Sequence, residues 1–298
     1  MRSYATKRIG ADVRPTTPSS RIELAIIDLD NTLFDWVGFL TPALDAMVTE
    51  AASLLATDCD RVRTQLARIH ARYANIEQPF ALLDIPDVAR RCSGDPVRAS
   101  AHLASAFAAF DDVRQASLRP YPGVVAALEW LKCHGIPIAF YTDSTWLNAV
   151  AKLRQCDLLR FGSAIFAQPY RASRLPSRHE DFQYDPRLMI LESSWRKPDI
   201  RTLRRILETF GASASSSLMI GDSISRDIIP AADLGLHTIW ARYGTQVDEA
   251  SADRIWHYTH WSRRVEDDPK LPDTTRTVND PGELLRMITD LDQSSPQR

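Results

Sequence analysis

The chain has no apolar run long enough to cross a bilayer as a helix. Its N-terminal stretch holds Arg2, Lys7, Arg8 and Arg14 but lacks the apolar core of a secretory signal, so it reads as a disordered arm. Cysteine is scarce: Cys59, Cys92, Cys133 and Cys156 are scattered, with no Cys-x-x-Cys. That argues against a disulfide frame or a zinc site and for free thiols in a reducing compartment, hence a cytoplasmic location. An excess of one charge sign is missing too. With a formal net charge of −2 over 298 residues, there is no bulk electrostatic case for nucleic acid or for an anionic membrane. No internal repeat is present. What remains is an ordinary globular composition, at a length that suits one large domain or a domain with a smaller companion.

The most informative stretch is Asp28-Leu29-Asp30-Asn31-Thr32-Leu33, directly after the apolar run Leu24, Ala25, Ile26, Ile27. A buried strand ends there, and strand periodicity turns Asp28 and Asp30 to one face. Carboxylates that close call for a hard divalent cation, or for chemistry in which one is a nucleophile and the other a proton donor. The pair alone also fits a turn or a helix cap.

From residue 32 to about 117 the pattern is helical, with Asp58 a cap for a helix through residue 75 and Asp95-Pro96 the start of one running to residue 112. Strands and helices then alternate. Helices are expected over residues 124–134, 145–159, 198–210 and 223–234, and strands over 136–141, 161–167, 217–220 and 237–241. Short connections between such elements mean a parallel sheet covered by helices. The helical block interrupts that sheet just after the two carboxylates and is placed like a lid. Two segments do not fit the alternation. Residues 168–196 are rich in proline, arginine and aromatics, and loops of that length are usually functional or disordered. Residues 248–281 are polar with aromatic islands. A last helix is expected over 282–291, before a frayed end.

Three further strand ends carry polar residues: Thr142-Asp143-Ser144, Lys197-Pro198 ahead of a helix, and Gly221-Asp222-Ser223 followed by Asp227. Each has a plain reading, as a helix cap or a solvated surface charge. Together they lie at the ends of parallel strands and face one crevice. A hydroxyl, backbone N–H groups and a lysine there suit a phosphate, and Asp222 and Asp227 can share a cation.

In this order the motifs resemble those of the haloacid dehalogenase-like (HAD) hydrolases, over roughly residues 22–245. The resemblance implies an α/β fold, a Rossmann-like parallel sheet flanked by helices, with an inserted all-helical C1 cap. Its divisions would be an arm at residues 1–20; a core at 21–35 and 118–247, with an insertion at 168–196; a cap at 36–117; and a C-terminal extension at 248–298. It further implies a Mg²⁺-dependent phosphomonoesterase acting on a small phosphorylated substrate. Asp28 would be the nucleophile that forms an aspartyl-phosphate, and Asp30 the general acid and then base. Thr142, Asp143 and Lys197 would bind the phosphoryl group. Asp28, the Asp30 carbonyl, Asp222 and Asp227 would surround the metal. The family's dehalogenases lack a carboxylate at the position of Asp30. Its phosphonatases need a cap lysine, and none lies between Lys7 and Lys132. A phosphotransferase or mutase, or a binding module with little chemistry, are the alternatives. Asp35 is expected to be structural. Among Arg61, Arg63, Arg68, Arg72, Arg90, Arg91 and Arg98 of the cap, one or two could contact an anionic substrate. His257 and His260 read as a surface pair.

Overall fold

The computed structural model describes residues 22–78, 80–170, 185–246, 253–255, 257–258 and 270–293. The N-terminal arm, residues 171–184 of the insertion, Trp256, His260, Trp261 and the last five residues lie outside these.

Seven parallel strands form one sheet in the order β4-β3-β2-β1-β5-β6-β7. They are β1 (Leu24–Ile27), β2 (Ile138–Thr145), β3 (Ala164–Gln168), β4 (Leu188–Ile190), β5 (Ser217–Gly221), β6 (His237–Ala241) and β7 (Arg276–Val278). All four residues of β1 are buried, as a central strand covered on both faces requires. Ala25 and Ile27 pack with Leu128 and Leu131 of α6 (Val124–Cys133) and Ile288 of α10 (Leu284–Gln293). Leu24 and Ile26 face the other way, toward Leu203 and Ile206 of α8 (Ile200–Phe210). The chain leaves β1 for β2 on one side and later takes up β5 on the other. This change of direction opens a crevice at the carboxyl ends of β1 and β5.

The helical block between β1 and β2 holds α1 (Trp36–Leu55), α2 (Cys59–Tyr73), α3 (Pro86–Arg91), α4 (Pro96–His102) and α5 (Ala104–Ser117). Asp35 caps α1 by accepting from Gly38 N at 2.8 Å, the structural role expected of it. Asp58 and Asp95 cap α2 and α4 in the same way. The single helix expected from Asp95 onward is broken at Leu103, a wholly buried residue between α4 and α5. The remaining helices are α7 (Trp146–Gln155) and α9 (Ile229–Asp233). The helix expected over 223–234 is instead a wide π-type turn at Ile224–Ile228 followed by α9. Neither β4 nor β7 was expected: both are three-residue edge strands inside the segments that broke the alternation. Among the described residues no single helix is long and apolar enough to cross a membrane.

The C-terminal extension reaches the helical block. Tyr258 is wholly buried, its hydroxyl donates to Asp45 of α1, and its carbonyl lies 2.9 Å from Nδ1 of the buried His70 of α2. A neutral imidazole donating from Nδ1 satisfies that carbonyl. Burial pulls the His70 pKa from 6.5 down to about 4. The folded state therefore resists protonating His70, and stability present above the unfolded pKa is lost as the pH falls toward 4. The shift is worth about 3 kcal/mol. Urea unfolding of wild type and His70→Asn at pH 7 and pH 4.5 should show a smaller acid loss in the variant. Parallel pH dependences would contradict this account of His70.

Candidate active site

The loop after β1 returns tightly. Asp28 N–H donates to the Ile220 carbonyl at 2.9 Å, carrying the β1–β5 ladder one residue past the strand. Asn31 takes a left-handed conformation (φ 61°), and its Oδ1 accepts from Trp36 N at 3.1 Å. Tyr243 anchors the turn by donating to the Thr32 carbonyl at 2.7 Å. The Asp28 carboxylate is thereby set at the crevice floor. Thr32 Oγ1 donates to its Oδ2 at 3.2 Å, and Lys197 Nζ donates to its Oδ1.

Lys197 is itself buried, 2.7 Å from Asp227 Oδ1 and 4.6 Å from the centre of the Tyr141 ring. Asp143 accepts from the Lys197 backbone N at 3.1 Å and from Arg226. Each Asp143 carboxylate oxygen thus has one partner, the Lys197 backbone and the Arg226 guanidinium. Thr142 is buried at the end of the apolar part of β2, with its hydroxyl oxygen accepting from Ser144 N at 3.0 Å. Gly221 lets the wide turn close over the strand: a Cβ at that position would lie 2.6 Å from the Asp227 carboxylate. Trp240 Nε1 donates to the Asp222 carbonyl at 2.7 Å and fixes the loop from the β6 side.

Asp28, Asp30, Thr142, Asp143, Lys197, Asp222 and Asp227 all line one cavity of about 390 Å³, so the residues singled out in the sequence converge. The helical-block arginines Arg61, Arg63, Arg68, Arg72, Arg90, Arg91 and Arg98 do not line it. Arg61 and Arg90 pair with Asp87, and Arg63 pairs with Asp60. Among the described residues, the arginines that do line it are Arg196 and Arg226, both on the sheet side. Of the histidine pair, His257 is exposed.

Electrostatics follow from burial. Burial pushes the Asp28 pKa from 3.8 up to about 6, against the pull of Lys197 and with help from Asp227. Asp30 is pushed up to about 7 by burial, opposed by Lys152 and aided by Glu77. Asp222 rises well above the usual carboxylate range through burial and the charges of Asp28 and Asp227. Burial alone would lower Lys197, but Asp227 and Asp28 outweigh it and hold the ammonium charged.

Among the described residues, carboxylates outnumber cationic side chains in the crevice: Asp28, Asp30, Glu77, Asp143, Asp222 and Asp227 against Arg196, Lys197 and Arg226, with Lys152 behind Asp30. One oxygen from each of Asp28, Asp222 and Asp227 lies within 4.8 Å of the others, and among the described residues Asp227 Oδ1 has no aligned hydrogen-bond donor. Hard oxygen donors with spare lone pairs and an excess of negative charge fit a divalent cation.

A family model described as haloacid dehalogenase-like hydrolase matches residues 22–235. The chain is 29% identical over 235 residues to a phosphoglycolate phosphatase of Agrobacterium fabrum, covering 78% of this chain and 83% of that one. It is 21% identical to a glyceraldehyde 3-phosphate phosphatase of Methanothermobacter thermautotrophicus, covering 78% and 91% of the two chains. Among solved structures it is similar to a 2-haloacid dehalogenase of Pseudomonas syringae pv. Tomato, with TM-score 0.54, 20% identity, and 90% and 98% of the two chains covered. That last likeness is one of fold.

Proposed function

The chain belongs to the haloacid dehalogenase-like hydrolases, and we propose that it is a phosphomonoesterase that works through Asp28 with Mg²⁺. The observation that carries this reading is the Asp28 carboxylate, buried at the crevice floor, salt-bridged to Lys197 and flanked by Asp30.

In this reading Asp28 attacks the phosphorus of a bound ester and becomes an aspartyl-phosphate. Lys197 and the Thr142 hydroxyl take the phosphoryl oxygens, whose charge would otherwise repel the incoming carboxylate. Burial pushes the Asp30 pKa up to about 7, which favours a carboxyl that still holds its proton. Asp30 gives its proton to the leaving alcohol and then takes one from the water that hydrolyses the acyl phosphate. Asp143 keeps Lys197 and Arg226 in place. Asp28, Asp222 and Asp227 would hold Mg²⁺, with the Asp30 carbonyl contributing, and a bound ion there would offset charge on the transferring group and favour the ionised form of these carboxylates. The helical block acts as the cap over this site.

The relatives' names point to small phosphometabolites, and the crevice is sized for one. A second cavity of about 240 Å³ adjoins it at Ile76 and Glu77, with Leu40, Leu44, Met47, Phe80, Phe107 and Phe110 in its wall. That wall favours a leaving alcohol with an apolar portion over a purely polar one such as phosphoglycolate. Phosphate release should be measured on 2-phosphoglycolate, glyceraldehyde 3-phosphate and 2-phenylethyl phosphate, with Mg²⁺ and with a chelator. Mg²⁺-dependent release is expected, with kcat/KM higher for the arylalkyl ester. Leu44→Trp, which fills the second cavity, should cost that ester about tenfold and 2-phosphoglycolate little. Release from none of them would contradict the phosphatase reading. A preference for phosphoglycolate unmoved by Leu44→Trp would discard the apolar pocket alone.

A further inference from the structure

Lys152 belongs to none of the motifs, yet its side chain is 1% exposed and its ammonium is fully engaged. From α7 it donates to Asp30 Oδ1 at 2.5 Å, to Glu77 Oε2 at 2.9 Å and to Ser144 Oγ at 3.3 Å. These three contacts use all three N–H bonds of the ammonium. Glu77 comes from the helical block, between α2 and α3, whereas Lys152, Ser144 and Asp30 belong to the sheet side.

Glu77 is gripped at more than one point. Its carboxylate also accepts from Ser144 Oγ at 2.9 Å, and its carbonyl accepts from Asn148 Nδ2 at 2.5 Å. One residue of the helical block therefore meets three residues of the β2–α7 segment. Asp30 is held at one point. Among the described residues, Lys152 is the hydrogen-bond partner of its carboxylate. A group that must meet a leaving oxygen has to be held to within about half an ångström. Here the side chain that holds it is shared with Glu77 of the helical block.

We propose that Glu77 and Lys152 are positioning residues that latch the helical block onto the sheet and, through the one ammonium, set the Asp30 carboxylate at the leaving-group oxygen. When the helical block lifts, Glu77 leaves Lys152, Ser144 and Asn148 together, and Asp30 keeps a partner that is no longer fixed from above. Asp30 is then well placed only in the closed form. The inference rests on the reading of Asp30 as the group that serves the leaving alcohol.

The experiment uses the full chain with Mg²⁺ and two esters of different leaving-group acidity. 4-Nitrophenolate departs without a proton, whereas 2-phenylethanol needs one. The quantity compared is kcat/KM, because it ends at the first irreversible step, departure of the alcohol. Lys152→Met is expected to lower kcat/KM about 100-fold on 2-phenylethyl phosphate and only a few fold on 4-nitrophenyl phosphate. Glu77→Gln keeps the shape and is expected to change the same ratio less, in the same direction. In an Asp30→Asn background neither change should alter the ratio further. Equal losses on both esters, an unchanged ratio in Glu77→Gln, or additive effects with Asp30→Asn would overturn the proposal and leave the pair with a merely structural role. Should Lys152→Met not fold, the isosteric Glu77→Gln and its combination with Asp30→Asn decide the matter. The underlying phosphatase reading fails separately, if Asp28→Asn turns over either ester.

Discussion

Asp28→Asn is expected to lower phosphate release at least about a thousandfold while the protein stays folded. The amide has the shape of the carboxylate but cannot attack phosphorus. Its oxygen still accepts from Lys197, its NH₂ group can donate to Thr32 Oγ1, and the backbone bond from residue 28 to Ile220 is untouched. Lys197 also keeps Asp227, 2.7 Å away, as a partner, so no buried cation is stranded. Loss of turnover with a wild-type circular dichroism spectrum and unfolding midpoint is therefore the expected result. Loss of turnover together with unfolding would say nothing about the nucleophile, and retained turnover would remove Asp28 from the chemistry.

Lys197→Met is expected to damage both function and stability. The ammonium is the shared counter-charge of Asp28 and Asp227, and all three are buried. Removing one partner of such a group leaves uncompensated carboxylates and costs about 3–5 kcal/mol at neutral pH. The sign of its pH dependence follows from the shifts. Asp28 already has a folded pKa of about 6, above its ordinary 3.8, and without Lys197 it rises further. A carboxylate whose folded pKa is raised costs nothing in stability below the unfolded pKa, and the cost grows as the pH rises toward the folded value. Urea unfolding of the variant should therefore be near wild type at pH 4 and well below it at pH 7.5. Phosphate release should fall about 100-fold or more, since Lys197 also meets the charge that develops on the phosphoryl oxygens. A deficit in stability that is equal at both pH values would contradict the electrostatic role assigned to Lys197.

Much of the fold was legible because the central strands announce themselves. Leu24–Ile27 and Leu218–Ile220 are short apolar runs that end in polar residues, the pattern of a parallel sheet buried on both faces. The edges were not legible. Leu188–Ile190 and Arg276–Val278 pair along one side only, so a few residues suffice; the short apolar run Leu188–Leu191 sits inside a long irregular segment, and Arg276–Val278 has no apolar run at all. The turn at Ile224–Ile228 has helical periodicity and gave no sign of its wider pitch. Tyr258 lies in a polar segment, and its burial against α1 and α2 is a tertiary event that local pattern does not record.

The site divides in the same way. Asp28, Thr142, Lys197 and Asp222 stand at strand ends or helix starts, where topology alone sends them to one crevice. Arginine carries no such address. In the helical block Arg61 and Arg90 pair with Asp87 and Arg63 with Asp60, while Arg196 and Arg226, next to motif residues, reach the crevice. Position relative to Lys197 and Asp227 was the available signal for them. Glu77 and Lys152 are 75 residues apart in sequence and belong to no motif, so their meeting could be read only from the folded chain.

The central claim is that Asp28 carries the phosphoryl group between the two half-reactions. Acyl phosphates are reduced by borohydride to the alcohol, which here would convert Asp28 to homoserine. The direct measurement is borohydride trapping during turnover of 4-nitrophenyl phosphate, followed by mass spectrometry of the peptide that contains residues 28 and 30. The account predicts homoserine at position 28, dependent on substrate and absent at position 30. Steady turnover with position 28 unmodified, or with the label at another residue, would contradict it.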